Sequence, residues 1–328
     1  MSQAVTLTRP RVPVARLLLR VVARLGQAAL VLWAAFTLSF LILYALPSDP
    51  VSIMLNQSGE QTAVDAQQAA ALRAEYHLDQ PLPTQYAIAL GRALQLDLGR
   101  SIQSGQPVAP ALWQALPATA LLSVAALGLS LVVGVSLALA ATLSRWRWLR
   151  DALLGLPAVA VSLPTFWLGL LLLQWLSFGW HLFPAMGNRG WASLILPALT
   201  LAIPTSAVIA QVLARSLAAV GNQAFVEVLR AKGLSRVQVV LRHSLHNALV
   251  PVLSLSGVLV GNLLAGSVVT ETVFSREGVG RLAQAAVSVQ DIPMVQGVVL
   301  LAALIFVVVN LLVDGLYPLL DPRLGGGR

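Results

Sequence analysis

Cysteine is absent from all 328 residues, so disulfide frameworks, zinc–thiolate sites, iron–sulfur clusters and cysteine nucleophiles are excluded. Charged residues make up only 10% of the chain, far below the roughly one quarter of an ordinary soluble domain. That shortage argues against both disorder and a soluble globule. Other chemistry is missing too. No Gly-x-x-x-x-Gly-Lys-Ser/Thr loop occurs, so nothing here binds ATP phosphates by that route, and any ATP must be hydrolysed by a partner. His-Glu-x-x-His and Gly-x-Ser-x-Gly are also absent. The four histidines are His77, His181, His243 and His246. The last two are three residues apart, but no carboxylate or cysteine adjoins them to complete a metal site.

What the chain has instead is apolar length: 57% of its residues are hydrophobic. At ~20 residues per crossing, uncharged runs place six membrane spans at 25–46, 118–143, 152–176, 191–213, 248–270 and 293–313. Each Leu, Ile, Phe or Val near the centre of a span favours insertion by about 0.3 to 0.6 kcal/mol, which outweighs Asn310 in the last. The expected class is an all-α integral membrane protein. The first run is longer than a signal-peptide core and lacks a small-residue cleavage site, so it is expected to remain as a span.

Charge sets the expected orientation. With six spans both termini share one side, and 15 of the 21 basic residues fall on that side. They are Arg9, Arg11, Arg16, Arg20 and Arg24 before the first span; Arg145, Arg147 and Arg150; Arg215, Arg230, Lys232, Arg236 and Arg242; and Arg323 and Arg328 in the tail. Lysine and arginine are retained in the cytoplasm, so residues 1–24, 214–247 and 314–328 are expected there. This explains the net charge of +8 by topology and removes the case for nucleic-acid binding. Trp146 and Trp148, with Trp175, Trp180 and Trp191 opposite, fit interfacial anchors or packing residues.

Ion-coupled carriers place ionisable groups within their spans. Here the spans carry almost none: Glu271 and Asp314 lie at span ends, where interfacial water is expected to reach them. The chain has the architecture of a membrane path without evident energy coupling of its own. In the fifth span Gly257, Gly261 and Ala265 repeat every four residues, suiting a subunit seam, a gate or internal packing equally. Asn262 and Ser267 are candidate path-lining residues or interhelical hydrogen-bonding groups.

Two connections are long enough to have their own roles. The outer loop 47–117 contains candidate short helices at 64–78 and 84–94 and offers a surface for a soluble partner or a lid on the chain's own helices. Within 214–247, Asn222 is a candidate cap for a helix with Phe225, Val228 and Leu229 on one face, Gly233 permits a sharp end, and a second helix begins at Ser235. Such a short helix suits either a groove on a cytoplasmic protein or the lipid surface.

These residues resemble the permease subunits of binding-protein-dependent ABC importers, in the dipeptide, oligopeptide and nickel branch. The landmarks are Leu46-Pro-Ser-Asp-Pro50, Tyr76-His-Leu-Asp-Gln-Pro-Leu82, Asp97-Leu-Gly99, Leu116-Pro-Ala-Thr119 and Ser162-Leu-Pro-Thr-Phe-Trp-Leu-Gly169. Further on come Arg230-Ala-Lys-Gly-Leu-Ser235, the stretch from Arg242 to Pro251, Glu271-Thr-Val-Phe-Ser275, Gly278-Val-Gly-Arg281 and the stretch from Leu316 to Arg323. Their shared order and spacing span nearly the whole chain.

The resemblance implies a type I permease fold, with the permease domain at about 110–328. It also implies a coupling helix carrying Glu-Ala-Ala, three residues, then Gly. Glu227 and Gly233 keep that offset, while Val228 and Leu229 replace the alanines, and His246 stands where the wider superfamily has proline, the nearest being Pro251. Glu227, Arg230, Ala231, Lys232, Gly233, Leu234 and Ser235 are therefore the expected ATPase-coupling residues. The implied partners are a second related permease, two cytoplasmic ABC ATPase subunits that use ATP and Mg, an extracytoplasmic substrate-binding protein and the lipid bilayer. No cofactor is expected on the chain itself. A membrane-embedded enzyme or a stand-alone channel is the alternative from other classes.

Overall fold

The computed structural model describes residues 14–45, 70, 73–74 and 79–320. The expected helix at 64–78 falls almost entirely outside them, as do the landmarks at 46–50 and 76–78 and the arginines nearest the two termini. Among the described residues every extended element is helical. The helices are α1 (Val14–Ala45), α2 (Leu82–Leu94), α3 (Val108–Leu143), α4 (Arg147–Ser162), α5 (Thr165–Leu172), α6 (Ala192–Gly221), α7 (Ala224–Ala231) and α8 (Arg236–Val239). Then follow α9 (Leu245–Ala248), α10 (Val250–Ser254), α11 (Ser256–Val273), α12 (Val279–Ser288) and α13 (Ile292–Leu320).

α1, α3, α6 and α13 are each long and apolar enough to cross a membrane. Two further candidates are bent pairs rather than the continuous helices expected from sequence. α4 meets α5 and its π-helical extension Leu173–Gly179 at 101°, and Arg236–Ser254 meets Gly257–Val273 at 53°. The first break has a local cause. Pro164 pushes Leu163 out of the α region, and Leu163 is extended at φ −84°, ψ 127°. If each bent pair is one span, the described residues hold six.

The core forms where small residues let helices approach. On α3 the buried positions Leu122, Ala126, Ser130, Gly134, Ala138 and Ala141 recur at three- and four-residue spacing and face α6. A Cβ at Gly134 would stand 2.8 Å from Ile209 Cβ and from the Ser206 carbonyl oxygen, so glycine is required there. α6 is itself the most buried of the long helices. α1 is peripheral. It runs along α13, where Arg24 pairs with Asp314 at 2.6 Å, and it receives α2 through Tyr86, whose ring meets Phe36 and Phe40 at 5.8 and 5.3 Å. Leu38, Ile42, Val124, Val132 and Leu312 remain exposed, an outward apolar surface that belongs in lipid.

Candidate functional site

The segment between α6 and α11 is held by local chemistry at both turns. α6 ends at Gly221 with Asn222 as its C-cap, and α7 starts one residue later than expected, with Gln223 extended at its N-cap position. The expected Asn222 cap is thus corrected: Asn222 closes the preceding helix. At the other end of α7, Gly233 adopts φ +83°. Its N–H donates to the Arg230 carbonyl at 2.9 Å, and the Leu234 N–H donates to the Leu229 carbonyl at 3.2 Å, forming a Schellman turn. The left-handed conformation favours glycine.

The chain restarts two residues on. Ser235 Oγ accepts from the Gln238 N–H, while Gln238 Oε1 accepts from the Ser235 N–H at 3.0 Å, a reciprocal capping box that begins α8 where the sequence places it. The buried anchor of α7 is Val226, not Val228, which is 53% exposed. Glu227, Arg230, Ala231, Lys232, Gly233 and Ser235 are all exposed, with Leu234 half-buried. Beneath them Val240 and Ala248 join Leu213, Leu217 and Leu259 in one apolar cluster. Arg236 Nη2 also donates to the Thr142 carbonyl at 2.5 Å, satisfying one of the free carbonyls that end α3. The exposed α7–α8 corner is therefore attached to α3 and α6.

The small-residue stripe of α11 divides. Gly257 packs against Asn310 and Gly261 lies near Phe306, both on α13, while the adjoining Gly266 meets Leu201 on α6. Ala265 and Asn262 are exposed. Ser267 is buried and donates to the Leu264 carbonyl at 2.8 Å. It lies under α12, because a Cβ on Gly280 would stand 2.7 Å from the Val268 backbone.

At the end of the bundle opposite α7 lies a polar cluster that sequence reasoning missed. Glu271 is fully buried, which corrects the expectation of interfacial water around it. Its Oε1 accepts from Thr119 Oγ1 at 2.6 Å, and its Oε2 accepts from the Arg281 N–H at 3.1 Å. Thr119 Oγ1 in turn accepts from the Val279 N–H at 2.8 Å. A carboxylate and a hydroxyl from two spans thereby satisfy free N–H groups at the start of α12, where the helix dipole also favours an acceptor.

Arg276 is also buried and donates to the Gly187 and Ser193 carbonyls at 3.2 and 3.0 Å. Ser193 O is available because Pro197, four residues on in α6, has no N–H to give it. Burial pushes the Arg276 guanidinium below its ordinary pKa, and the Glu271 carboxylate offsets part of that shift. A third buried charge, Asp291, accepts from Ser101 Oγ and from the Ile102 N–H at 3.2 Å, tying the loop before α3 to the start of α13. Thr119, Glu271, Gly278 and Arg281 were all visible as motif residues. Only the fold shows that they meet.

No group of three or more His, Asp or Glu that could hold a metal ion occurs among the described residues. The chain matches the family model described as the binding-protein-dependent transport system inner membrane component over residues 130–326. A Brucella abortus protein named as a peptide transport system permease is 35% identical over 313 residues, covering 92% of this chain and 98% of that one. The glutathione transport system permease protein GsiC of Salmonella choleraesuis is 35% identical over 287 residues, covering 88% and 92%. A chain from the inward-facing MetNI methionine ABC transporter shares the fold, with a TM-score of 0.50, 16% identity, and coverage of 65% of this chain and 96% of that one. By sequence match over more than half its length, and by relatives aligned almost end to end, the chain belongs to the family of binding-protein-dependent transport system inner membrane components.

Proposed function

We propose that this permease subunit provides part of the path through which an ATP-driven importer takes up a peptide-like substrate, and that α7 is the lever that moves it. Family membership and the names of the peptide and glutathione permeases among its relatives support the substrate class. In this reading the α7 end faces the cytoplasm, where two ABC ATPase subunits dock, and a second related permease completes the path. A binding protein delivers substrate at the α12 end. The membrane is the bacterial inner membrane, and the chain contributes no catalysis.

The observation that carries the lever assignment is the contrast across α7. Glu227 on α7 and Lys232 at its C-cap are exposed, while Val226 is sunk against the body and Arg236 is bonded to α3. A partner that shifts the exposed side must therefore shift the spans. ATP binding and hydrolysis would bias two global states of the path through their different contacts with this corner.

The test is Gly233→Trp and Glu227→Arg in the transporter assembled with its partner subunits in liposomes. Both variants should insert normally, keep ATP hydrolysis and lose substrate uptake. Wild-type uptake by both variants would remove α7 from the coupling role.

A further inference from the structure

Between α7 and the body lies a cavity of about 410 Å³ whose lining includes Arg150 on α4, Arg230 on α7 and Arg236 on α8, with Leu154, Leu217 and Val226 among its apolar walls. Arginines from three helices line it and no carboxylate does. Among the described residues, neither Arg230 nor Arg236 forms an ion pair with a carboxylate, and Arg150 has only its neighbour Asp151 at 3.5 Å, itself exposed. Arg236 uses Nη2 on the Thr142 carbonyl, which leaves other N–H donors of its five. The cavity therefore combines arginine donors suited to phosphate oxygens, two of them without a carboxylate partner among the described residues, with an apolar floor.

The wall made by α4 points to where such a phosphate comes from. α4 begins beside Trp146 and Trp148, both exposed and stacked at 6.1 Å with an interplanar angle of 13°. Further along it exposes Leu156, Val159 and Val161. Tryptophans followed by an outward apolar surface are the signature of a helix passing from the headgroup level into the hydrocarbon. Arg150 and Leu154 lie between those two zones. A soluble anion would gain nothing from the apolar floor, whereas a phospholipid places its phosphate among the arginines and its glycerol and first methylenes against Leu154, Leu217 and Val226.

We propose that this cavity is a binding site for the phosphate headgroup of an anionic phospholipid, which bridges the broken span α4–α5 to the α7–α8 corner. The proposal rests on the reading of the chain as a membrane subunit. It does not require α7 to be the lever, because bound lipid is measured separately from uptake.

The experiment uses the assembled transporter in nanodiscs, comparing wild type with Arg150→Gln and with Arg150→Gln/Arg236→Gln. Mixtures of phosphatidylglycerol and phosphatidylcholine are supplied, and the lipid retained after exchange into detergent is quantified by mass spectrometry. Wild type should retain phosphatidylglycerol in preference to phosphatidylcholine. Affinity should fall about fivefold for each arginine removed, with subunit assembly of Arg150→Gln unchanged on gel filtration. Millimolar inorganic phosphate should not displace the lipid. Wild-type retention in both the single and the double variant would overturn the site, as would full displacement by phosphate. Retention that appears only after the ATPase subunits are stripped would also overturn it, because a partner's acidic side chain would then be the occupant. Because Arg236 also binds Thr142, the single Arg150→Gln variant keeps the proposal testable if the double variant assembles poorly.

Discussion

The two ends of this helical body treat polar groups in opposite ways. At the α12 end, Glu271, Arg276 and Asp291 are buried and bound to backbone groups or hydroxyls of other elements. At the α7 end, Glu227, Arg230 and Lys232 are exposed, and the turns are made by backbone geometry and a serine cap. A charge buried with its own partners fixes one packing of the elements it joins, whereas an exposed charge on a short helix stays free for another protein. The difference suggests one end closed on itself and one end built for contact. Substitutions at the two ends should then fail differently, the first in stability and the second in coupling.

The largest effect expected from this contrast is at Glu271. Alanine there leaves the Thr119 hydroxyl and the N–H of Arg281 without their acceptor, and removes the opposite charge that favours ionised Arg276. Breaking a buried charged network on one side costs about 3–5 kcal/mol. Glu271→Ala should therefore lower the thermal midpoint of the purified complex by far more than Glu227→Ala, which disturbs no buried contact. Glu271→Gln, which keeps one acceptor oxygen, should fall between them. Equal midpoints for Glu271→Ala and Glu227→Ala would show that the α12 end is not the more rigid one.

The next effect separates two glycines that are required for unlike reasons. At Gly280 a new Cβ would lie 2.7 Å from the backbone of Val268, which cannot swing aside, so overpacking of about 1–3 kcal/mol is expected. At Gly233 a Cβ meets nothing within 4 Å, but φ is +83°, which costs a residue with a side chain roughly 1–2 kcal/mol. Asparagine tolerates the left-handed region. Gly233→Asn should therefore keep most uptake while Gly233→Val loses it, whereas at Gly280 both substitutions should reduce the yield of folded complex. Yield and uptake measured in parallel on the four variants would reveal any reversal.

The sequence made one of these ends more legible than the other. The Gly233 stop and the Ser235 start are written in three adjacent residues, because a Schellman turn and a capping box need only local partners. The Asn222 misassignment is of the same local kind: a polar residue between two helices can close one or open the next, and the backbone chose the former. The bend at Leu163 was also encoded locally, by Pro164, yet an uninterrupted apolar run hid it within a span of ordinary length. Glu271 was harder. Its partner Thr119 is 152 residues away, and no periodicity within α11 distinguishes a buried carboxylate at a helix end from a solvated one. The family motifs marked Thr119, Glu271 and Arg281 as notable without saying that they touch.

The smallest effect, and the sharpest test of the contrast, concerns Ser235. Ser235→Ala removes the hydroxyl that accepts from Gln238 and loosens the first turn of α8, at a cost of about 1 kcal/mol. Such a loss in an exposed four-residue helix should leave the thermal midpoint nearly unchanged, since Val239 and Val240 stay sunk in the body. Hydrogen exchange should nevertheless quicken at Gln238 and Val239, because their N–H groups bond back to Ser235. If α7 transmits force through this corner, a frayed α8 makes a softer joint, so uptake per ATP hydrolysed should fall while stability does not. A loss at the α12 end, such as Ser101→Ala, which takes a donor from buried Asp291, should show the reverse: a lower midpoint with the ratio of uptake to hydrolysis intact. Should Ser235→Ala quicken exchange without altering that ratio, the α7–α8 corner would be a docking surface whose stiffness does not matter, and the two ends would differ in exposure alone.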